Sequence, residues 1–176
     1  VVVTVTGVND APVATFSIDQ TATEDGGEIS GQLTATDVDV GDSLTYQLVG
    51  DSIDGFTLDN ETGDWSFDPS DIAYQGLSVG HTQDITVNYQ VIDNNGGVST
   101  QNSFTITITG TNDAPVVTNA LTSFSGGAED NPYTITKEQL LTGFSDPDDD
   151  TLVIENLAAT DSDEITVGTF ELNETG

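Results

Sequence analysis

Ile85-Thr86-Val87-Asn88-Tyr89-Gln90-Val91-Ile92-Asp93-Asn94-Asn95-Gly96-Gly97 is the stretch from which the fold is read. Ile85, Val87, Tyr89 and Val91 alternate with Thr86, Asn88 and Gln90, the period of a strand with one buried face. The Asp-Asn-Asn-Gly-Gly run that follows is a turn, because Asn and Gly tolerate positive φ. Beyond it Phe104, Ile106 and Ile108 alternate with Thr105, Thr107 and Thr109, which gives a second strand of the same kind. Working outward, further short strands fit residues 12–18, 28–36, 44–49, 56–59 and 64–67. Threonine and β-branched side chains suit such pleated, half-exposed surfaces. Tyr46, Phe56, Trp65, Phe67, Tyr89 and Phe104 are expected to fill the core, with Trp65 a core residue rather than a sugar platform. The expectation is an all-β sandwich.

An internal repeat organises the chain. Val5-Thr6-Gly7-Val8-Asn9-Asp10-Ala11-Pro12-Val13 recurs as Ile108-Thr109-Gly110-Thr111-Asn112-Asp113-Ala114-Pro115-Val116, an offset of 103 residues from Asn9 to Asn112. That offset is the length of one sandwich domain of about 100 residues with immunoglobulin-like topology. Glu24-Asp25 matches Glu129-Asp130. Asp37-Val38-Asp39 and Asp42 match Asp146-Pro147-Asp148 and Asp150, and Phe56 to Gly63 matches Phe170 to Gly176. The domain reading is therefore a last strand of a preceding repeat over 1–8, a complete repeat over 9–110, and an incomplete N-terminal part of the next over 111–176. Residues 112–176 have no counterparts of Trp65 or of the 85–91 and 104–108 strands, so they are not expected to close a sandwich by themselves.

Composition removes whole classes of function. The 176 residues carry 31 Asp and Glu against one basic residue, Lys137, for a formal net charge of −30. A nucleic-acid binder needs clustered Lys and Arg to displace counterions from phosphates, so no nucleic-acid partner is expected. With no cysteine and one histidine, His81, thiolate and multi-histidine metal sites lack their ligands. No apolar run approaches the roughly 18 residues of a membrane span, so membrane insertion is not expected. A disordered acidic chain is a poor fit, because 35% of the residues are hydrophobic and fall in short, regular runs. A uniformly acidic, salt-adapted surface would scatter its carboxylates, whereas here many gather in Asn- and Gly-containing loops between strands.

Calcium accounts for that gathering. Ca²⁺ takes six to eight oxygen ligands, and loops rich in Asp, Asn and Gly can converge on it. Carboxylates about 4 Å apart repel by around 1 kcal/mol per pair even in water, and a cation reverses the sign. Mg²⁺ is the poorer candidate, since it resists dehydration and demands octahedral geometry. The run from Asp146 to Asp150 is not an EF-hand, because Thr151 stands at the glycine position of such a loop.

These residues carry a family resemblance. Thr6-Gly7-Val8-Asn9-Asp10-Ala11-Pro12 and Thr109-Gly110-Thr111-Asn112-Asp113-Ala114-Pro115 resemble the linker between cadherin repeats, and Asp37-Val38-Asp39-Val40-Gly41-Asp42 resembles the cadherin Asp-x-Asp calcium loop. Glu24 and Asp93 stand where cadherins carry a calcium-binding Glu and a further Asp. With Gly110-Thr111-Asn112-Asp113-Ala114-Pro115 and Phe67-Asp68-Pro69, the text is closer still to bacterial cadherin-like and VCBS-type tandem repeats of large secreted, RTX-type adhesins. Two departures stand out. Ala11 and Ala114 replace the last Asn of the cadherin linker, and the cadherin Asp-Arg-Glu motif is reduced to Asp68-Pro69-Ser70.

The resemblance implies an immunoglobulin/cadherin-like β-sandwich in tandem array and a set of Ca²⁺ ligands. At the upstream junction these are Asn9, Asp10, Asp37, Asp39, Asp42 and Asp93. At the internal junction they are Glu24, Asp25 and Asp68 with Asn112, Asp113, Asp146, Asp148 and Asp150. Bound calcium would stiffen the joint between repeats. The implied function is a calcium-stiffened extender repeat of a bacterial surface or secreted adhesin, at the cell surface or outside the cell, serving adhesion or biofilm formation. Its implied partners are adjacent repeats of the same chain, with host or biofilm glycans or surface proteins beyond them. The alternative is a calcium-dependent glycan- or protein-binding module of the same adhesin. No enzyme activity is expected: plentiful carboxylates could serve a glycosidase, but a small sandwich with short loops rarely makes the deep cleft that needs.

Overall fold

The computed structural model describes residues 1–120, 123, 135–155 and the strand 171–174. The repeat matches at Glu129-Asp130, Phe170 and Thr175-Gly176 lie outside the described residues. The chain divides into two compact units, the first of Val1–Gln75 with Gly80–Gly110, the second of Gly76–Val79 with Thr111–Gly176.

The first unit holds β1 (Val13–Ala14), β2 (Gln20–Thr23), β3 (Ile29–Gln32), β4 (Ala35–Thr36), β5 (Leu44–Leu48), β6 (Phe56–Leu58), β7 (Asp64–Phe67), β8 (Thr82–Asp93) and β9 (Asn102–Thr109). They form a four-stranded sheet in the order β2-β9-β8-β5, a three-stranded sheet β3-β7-β6 and the pair β1-β4. The expected hairpin is its centre: β8 and β9 pair antiparallel, with Val87 opposite Phe104 and Ile85 opposite Ile106. Both strands run longer than the apolar alternation alone indicates, because Thr82, Gln83 and Asp84 continue the ladder against Thr109, Ile108 and Thr107.

The alternation places the core where the period of two puts it. Val87, Tyr89, Val91, Ile106 and Ile108 are wholly buried, and Phe104 nearly so. From the facing sheet come Trp65 and Phe67, and Trp65 meets Phe104 at 5.2 Å between ring centroids. Phe16 sits edge-on to Phe104 at 5.0 Å, and Phe56, half-buried, stacks on Trp65 at 5.8 Å. Trp65 is 3% exposed, so its ring is core and offers no face to a sugar. The Tyr89 hydroxyl accepts from the Phe16 N–H at 3.0 Å and donates to the Phe16 carbonyl at 2.9 Å, tying the segment after β1 to the hairpin.

Besides β1, which covers only Val13–Ala14 of the strand expected over 12–18, two features depart from the expected strand map. The single strand expected over 28–36 is two, β3 against β7 and β4 against β1, so the chain changes partner at Leu33-Thr34. The buried Leu33 there donates its N–H to the Gly63 carbonyl at 2.8 Å. Gly63 has φ +76°, and a Cβ on it would lie 2.8 Å from the Leu33 carbonyl oxygen, which is why the Asn60-Glu61-Thr62-Gly63 turn ends in glycine. The second departure is β2, which runs parallel to β9 from Gln20 opposite Ile106 to Thr23 opposite Thr109. Its one buried side chain is Ala22, too small to mark an apolar period.

In the second unit the described residues form β10 (Val116–Val117) against β11 (Phe144–Ser145), β12 (Leu152–Glu155) against β13 (Glu171–Glu174), and the short helix α1 (Lys137–Leu141). The helix was not expected. Its signal is the capping box Thr136-Lys137-Glu138-Gln139: the Gln139 N–H donates to the Thr136 hydroxyl at 3.2 Å, and Gln139 Oε1 accepts from the Thr136 N–H at 2.9 Å. The molecule is thus nearly all-β. No described helix is long and apolar enough to cross a membrane.

Candidate metal centre

In the first unit three carboxylates converge. One oxygen from each of Asp37, Asp42 and Asp93 lies within 4.8 Å of the others. Asp37 follows β4, Asp42 precedes β5 and Asp93 ends β8, so strand ends bring together residues far apart in sequence. Asp93 is buried, and Asp37 and Asp42 are half-buried.

Hydrogen bonds hold the group in shape. Asp93 Oδ2 accepts from Asn9 Nδ2 at 3.0 Å, and its Oδ1 accepts from the N–H groups of Asn95 and Gly97, each at 2.8 Å. The Asn9 carboxamide, helped by the turn amides, keeps the Asp93 carboxyl below the usual carboxylate range. Asp37 Oδ1 accepts from the Asp39 N–H at 2.8 Å, and Asp39 Oδ2 from the Asp10 N–H at 2.7 Å. Asn9, Asp10, Asp37, Asp39, Asp42 and Asp93 therefore form one connected region, although Asp10 and Asp39 are not among the three convergent oxygens.

The second unit repeats the arrangement. Asp146 Oδ1 accepts from the Asp148 N–H at 3.0 Å, and Asp148 Oδ2 accepts from the Asp113 N–H at 2.7 Å. These two bonds are the counterparts of Asp37–Asp39 and Asp39–Asp10. Asn112 donates to the Asp113 carbonyl at 3.1 Å, and Asp149 takes φ +59° in the loop that leads to the half-buried Asp150.

The residues fit an oxygen-liganded cation. Asp37 Oδ2, Asp146 Oδ2 and Asp148 Oδ1 are shut off from solvent without a hydrogen-bond partner. A buried carboxylate oxygen left so is costly unless a positive charge compensates it. The chain's single Lys or Arg, Lys137, is on the exposed α1, so the first unit has no basic side chain except His81 to supply that charge. A hard divalent cation would meet carboxylate and amide oxygens here and neutralise their mutual repulsion.

Glu24, Asp25 and Asp68 lie on other loops of the first unit. Glu24 is buried directly after β2, its N–H bonded to the Thr109 carbonyl at 2.9 Å. Asp25, with φ +56°, is exposed and accepts from Gln75 Nε2 at 3.0 Å. Asp68 is exposed, and its Oδ1 accepts from the Ser70 hydroxyl at 2.7 Å and N–H at 3.0 Å, which holds its carboxyl below the usual range. That is the geometry of an Asx turn.

Sequence reasoning missed the contribution of the turn after β8. Asn95 Nδ2 donates to both Asp42 oxygens, at 3.1 and 3.0 Å, and Asn94 Oδ1 accepts from the Ser43 N–H at 2.8 Å. At Gly97 a Cβ would collide with Asp93 Oδ2 and crowd Asn9 Nδ2 at 2.9 Å. The run Asp93-Asn94-Asn95-Gly96-Gly97 is thus a wall of the cluster as well as a turn.

Comparison with known proteins names the family. Residues 9–110 match the bacterial cadherin-like domain, and residues 111–175 match the cadherin-like domain. The chain belongs to the bacterial cadherin-like family and is a tandem array of such domains. Among solved structures it is similar to mouse cadherin-23 EC22-24 at 21% identity, covering 90% of this chain and 53% of that one, with a TM-score of 0.45. Drosophila N-cadherin EC1-3 is 18% identical over 61% of this chain and 35% of that one, with a TM-score of 0.44. The sialic acid binding region of a Streptococcus sanguinis SK1 adhesin, bound to 3'sLn, is 16% identical over 96% of this chain and 48% of that one, with a TM-score of 0.44. The chain spans about a third to a half of these structures' own lengths. No curated protein matches it.

Proposed function

We propose that this chain is a non-enzymatic extender segment of a bacterial surface or secreted adhesin of the VCBS and RTX type, stiffened by calcium and serving adhesion or biofilm formation outside the cell. The observation that carries the proposal is the recurrence of one carboxylate arrangement in both units. Each has a linker Asp N–H bonded to the second carboxylate of an Asp-x-Asp loop, and each leaves a buried carboxylate oxygen without a hydrogen-bond partner. Asn9, Asp10, Asp37, Asp39, Asp42 and Asp93 would hold Ca²⁺ in the first unit, and Asn112, Asp113, Asp146, Asp148 and Asp150 in the second. Glu24 is carried as a further ligand on its burial and its place in the family pattern. Asp25 and Asp68 are the weakest members, because Gln75 and Ser70 already engage an oxygen of each.

Extracellular modules bind calcium with Kd of roughly 10⁻⁴–10⁻³ M, which suits filling outside cells and emptiness within. Binding to the folded chain alone stabilises it by mass action, by about 2.7 kcal/mol when calcium reaches a hundred times Kd. Thermal unfolding in millimolar calcium against chelator tests binding: Tm should rise with calcium, and Asp37→Asn or Asp93→Asn should blunt the rise. Small-angle scattering of a two-repeat chain tests stiffening, with a narrower distribution of shapes expected in calcium. A Tm indifferent to calcium overturns the site. Unchanged scattering with a raised Tm overturns the stiffening alone.

A further inference from the structure

Asn95-Gly96 is the one Asn-Gly step in the sequence. It lies in the turn between β8 and β9, with Asn94, Asn95 and Gly96 all exposed. We propose that Asn95 is a site of spontaneous self-modification, and that its conversion rebuilds the Asp37/Asp42/Asp93 cluster as the protein ages. The chemistry needs neither metal nor partner, only water, and stands apart from the calcium reading.

The step balances as follows. The Gly96 amide nitrogen bonds to Asn95 Cγ and gives up its proton. The Cγ–Nδ2 bond breaks, and Nδ2 leaves with that proton as ammonia, closing a succinimide ring. Water then opens the ring at either carbonyl, giving aspartate with the main chain restored, or isoaspartate with the main chain rerouted through Cβ and Cγ.

Three observations single out this residue. Gly96 has no side chain to obstruct the attack, whereas every other asparagine in the chain is followed by a residue that has one. The Gly96 N–H, which must be released to react, makes the longest hydrogen bond of the turn, 3.3 Å to the Asp93 carbonyl, against 2.8 Å for the Asn95 and Gly97 N–H groups on Asp93 Oδ1. The leaving nitrogen already faces a carboxylate, since Nδ2 lies 3.0 Å from Asp42 Oδ2. That anion favours the ammonium-like leaving group electrostatically.

The product changes the cluster. At present Asn95 supplies a donor to both oxygens of Asp42. Aspartate at the same place sets one anion against another. Isoaspartate also lengthens the main chain inside the turn whose N–H groups hold Asp93 Oδ1.

The test incubates the folded 176-residue chain for days at physiological temperature and mildly alkaline pH. Peptide mapping by mass spectrometry, with enzymatic methylation of isoaspartate as the probe, then locates the change. Amide loss should be concentrated severalfold at Asn95 over Asn9, Asn60 and Asn94, with both aspartate and isoaspartate present. Asn95→Gln, which keeps the amide but closes a ring far more slowly, should remove the isoaspartate signal from the peptide holding this turn. Gly96→Ala should slow the reaction severalfold, and because Gly96 has φ +92°, Asn95→Gln is the variant that decides should the alanine chain fail to fold. Amide loss at Asn95 no greater than at the other asparagines overturns the proposal, as does an isoaspartate signal that survives in the peptide holding this turn in Asn95→Gln; signals from Asp25-Gly26 and Asp54-Gly55 map to other peptides.

Discussion

Gly31 sits in β3 opposite Trp65, and a Cβ there would come within 2.7 Å of Trp65 Cζ2 and 3.0 Å of Nε1. The indole is buried and cannot retreat, so Gly31→Ala should destabilise the first unit by about 1–3 kcal/mol. Gly7 has nothing within 4 Å of its would-be Cβ, and Gly7→Ala should leave urea unfolding unchanged. Asp59 gives the pH dependence. Its carboxyl is held below the usual range by the N–H groups of Thr62 and Glu61, at 3.0 and 2.8 Å. A folded pKa below the unfolded one contributes stability above the ordinary carboxylate range, and loses it as pH falls through the lowered value. Wild type should therefore be more stable than Asp59→Ala at neutral pH, and urea midpoints measured down an acid series should converge. At this scale the sequence exposes side chains whose role lies in spacing, as with the Asp-x-Asp pairs. It hides those whose role needs tertiary approach: Asn95 and Gly97 look like turn residues until Asp42 and Asn9 are seen beside them.

Strand β8 carries the alternation that makes the hairpin legible, and four of its residues from Val87 to Asp93 face inward in turn. The Tyr89 hydroxyl, at the tip of a wholly buried side chain in this row, bonds to the Phe16 backbone. Tyr89→Phe would leave the Phe16 N–H without its partner and the Phe16 carbonyl with Asn102 Nδ2 alone, and should cost about 1–3 kcal/mol in chemical denaturation. Elements were readable where large apolar side chains repeat. They were not readable where a strand is defined by whom it pairs with. Nothing in Gln20-Thr21-Ala22-Thr23 announces β2, whose stability comes from β9 beside it. The break between β3 and β4 falls in a run of strand-like residues and is set by the Gly63 carbonyl. Helix α1 left only its capping box as a signal, which sequence reasoning missed, and at Lys137–Leu141 it is shorter than any apolar period can reveal.

Over the whole chain a net charge of −30 opposes the folded state through self-repulsion. In chelator, added potassium chloride should raise Tm, because the screening length falls from about 10 Å at 0.1 M to about 3 Å at 1 M. Calcium at matched ionic strength should raise it further if the clusters bind specifically, and calorimetry comparing the two series separates screening from ligation. The tandem domain character was legible at this scale because the linker text recurs almost letter for letter. The parallel neighbourhood of β2 and β9 has a further consequence for a domain under load. One strand lies near the start of the first unit and the other closes it, joined by register pairs from Gln20–Ile106 to Thr23–Thr109. Tension drawn through the two ends must slide these strands past each other, straining every rung together instead of peeling them one by one, so the pair acts as a shear clamp.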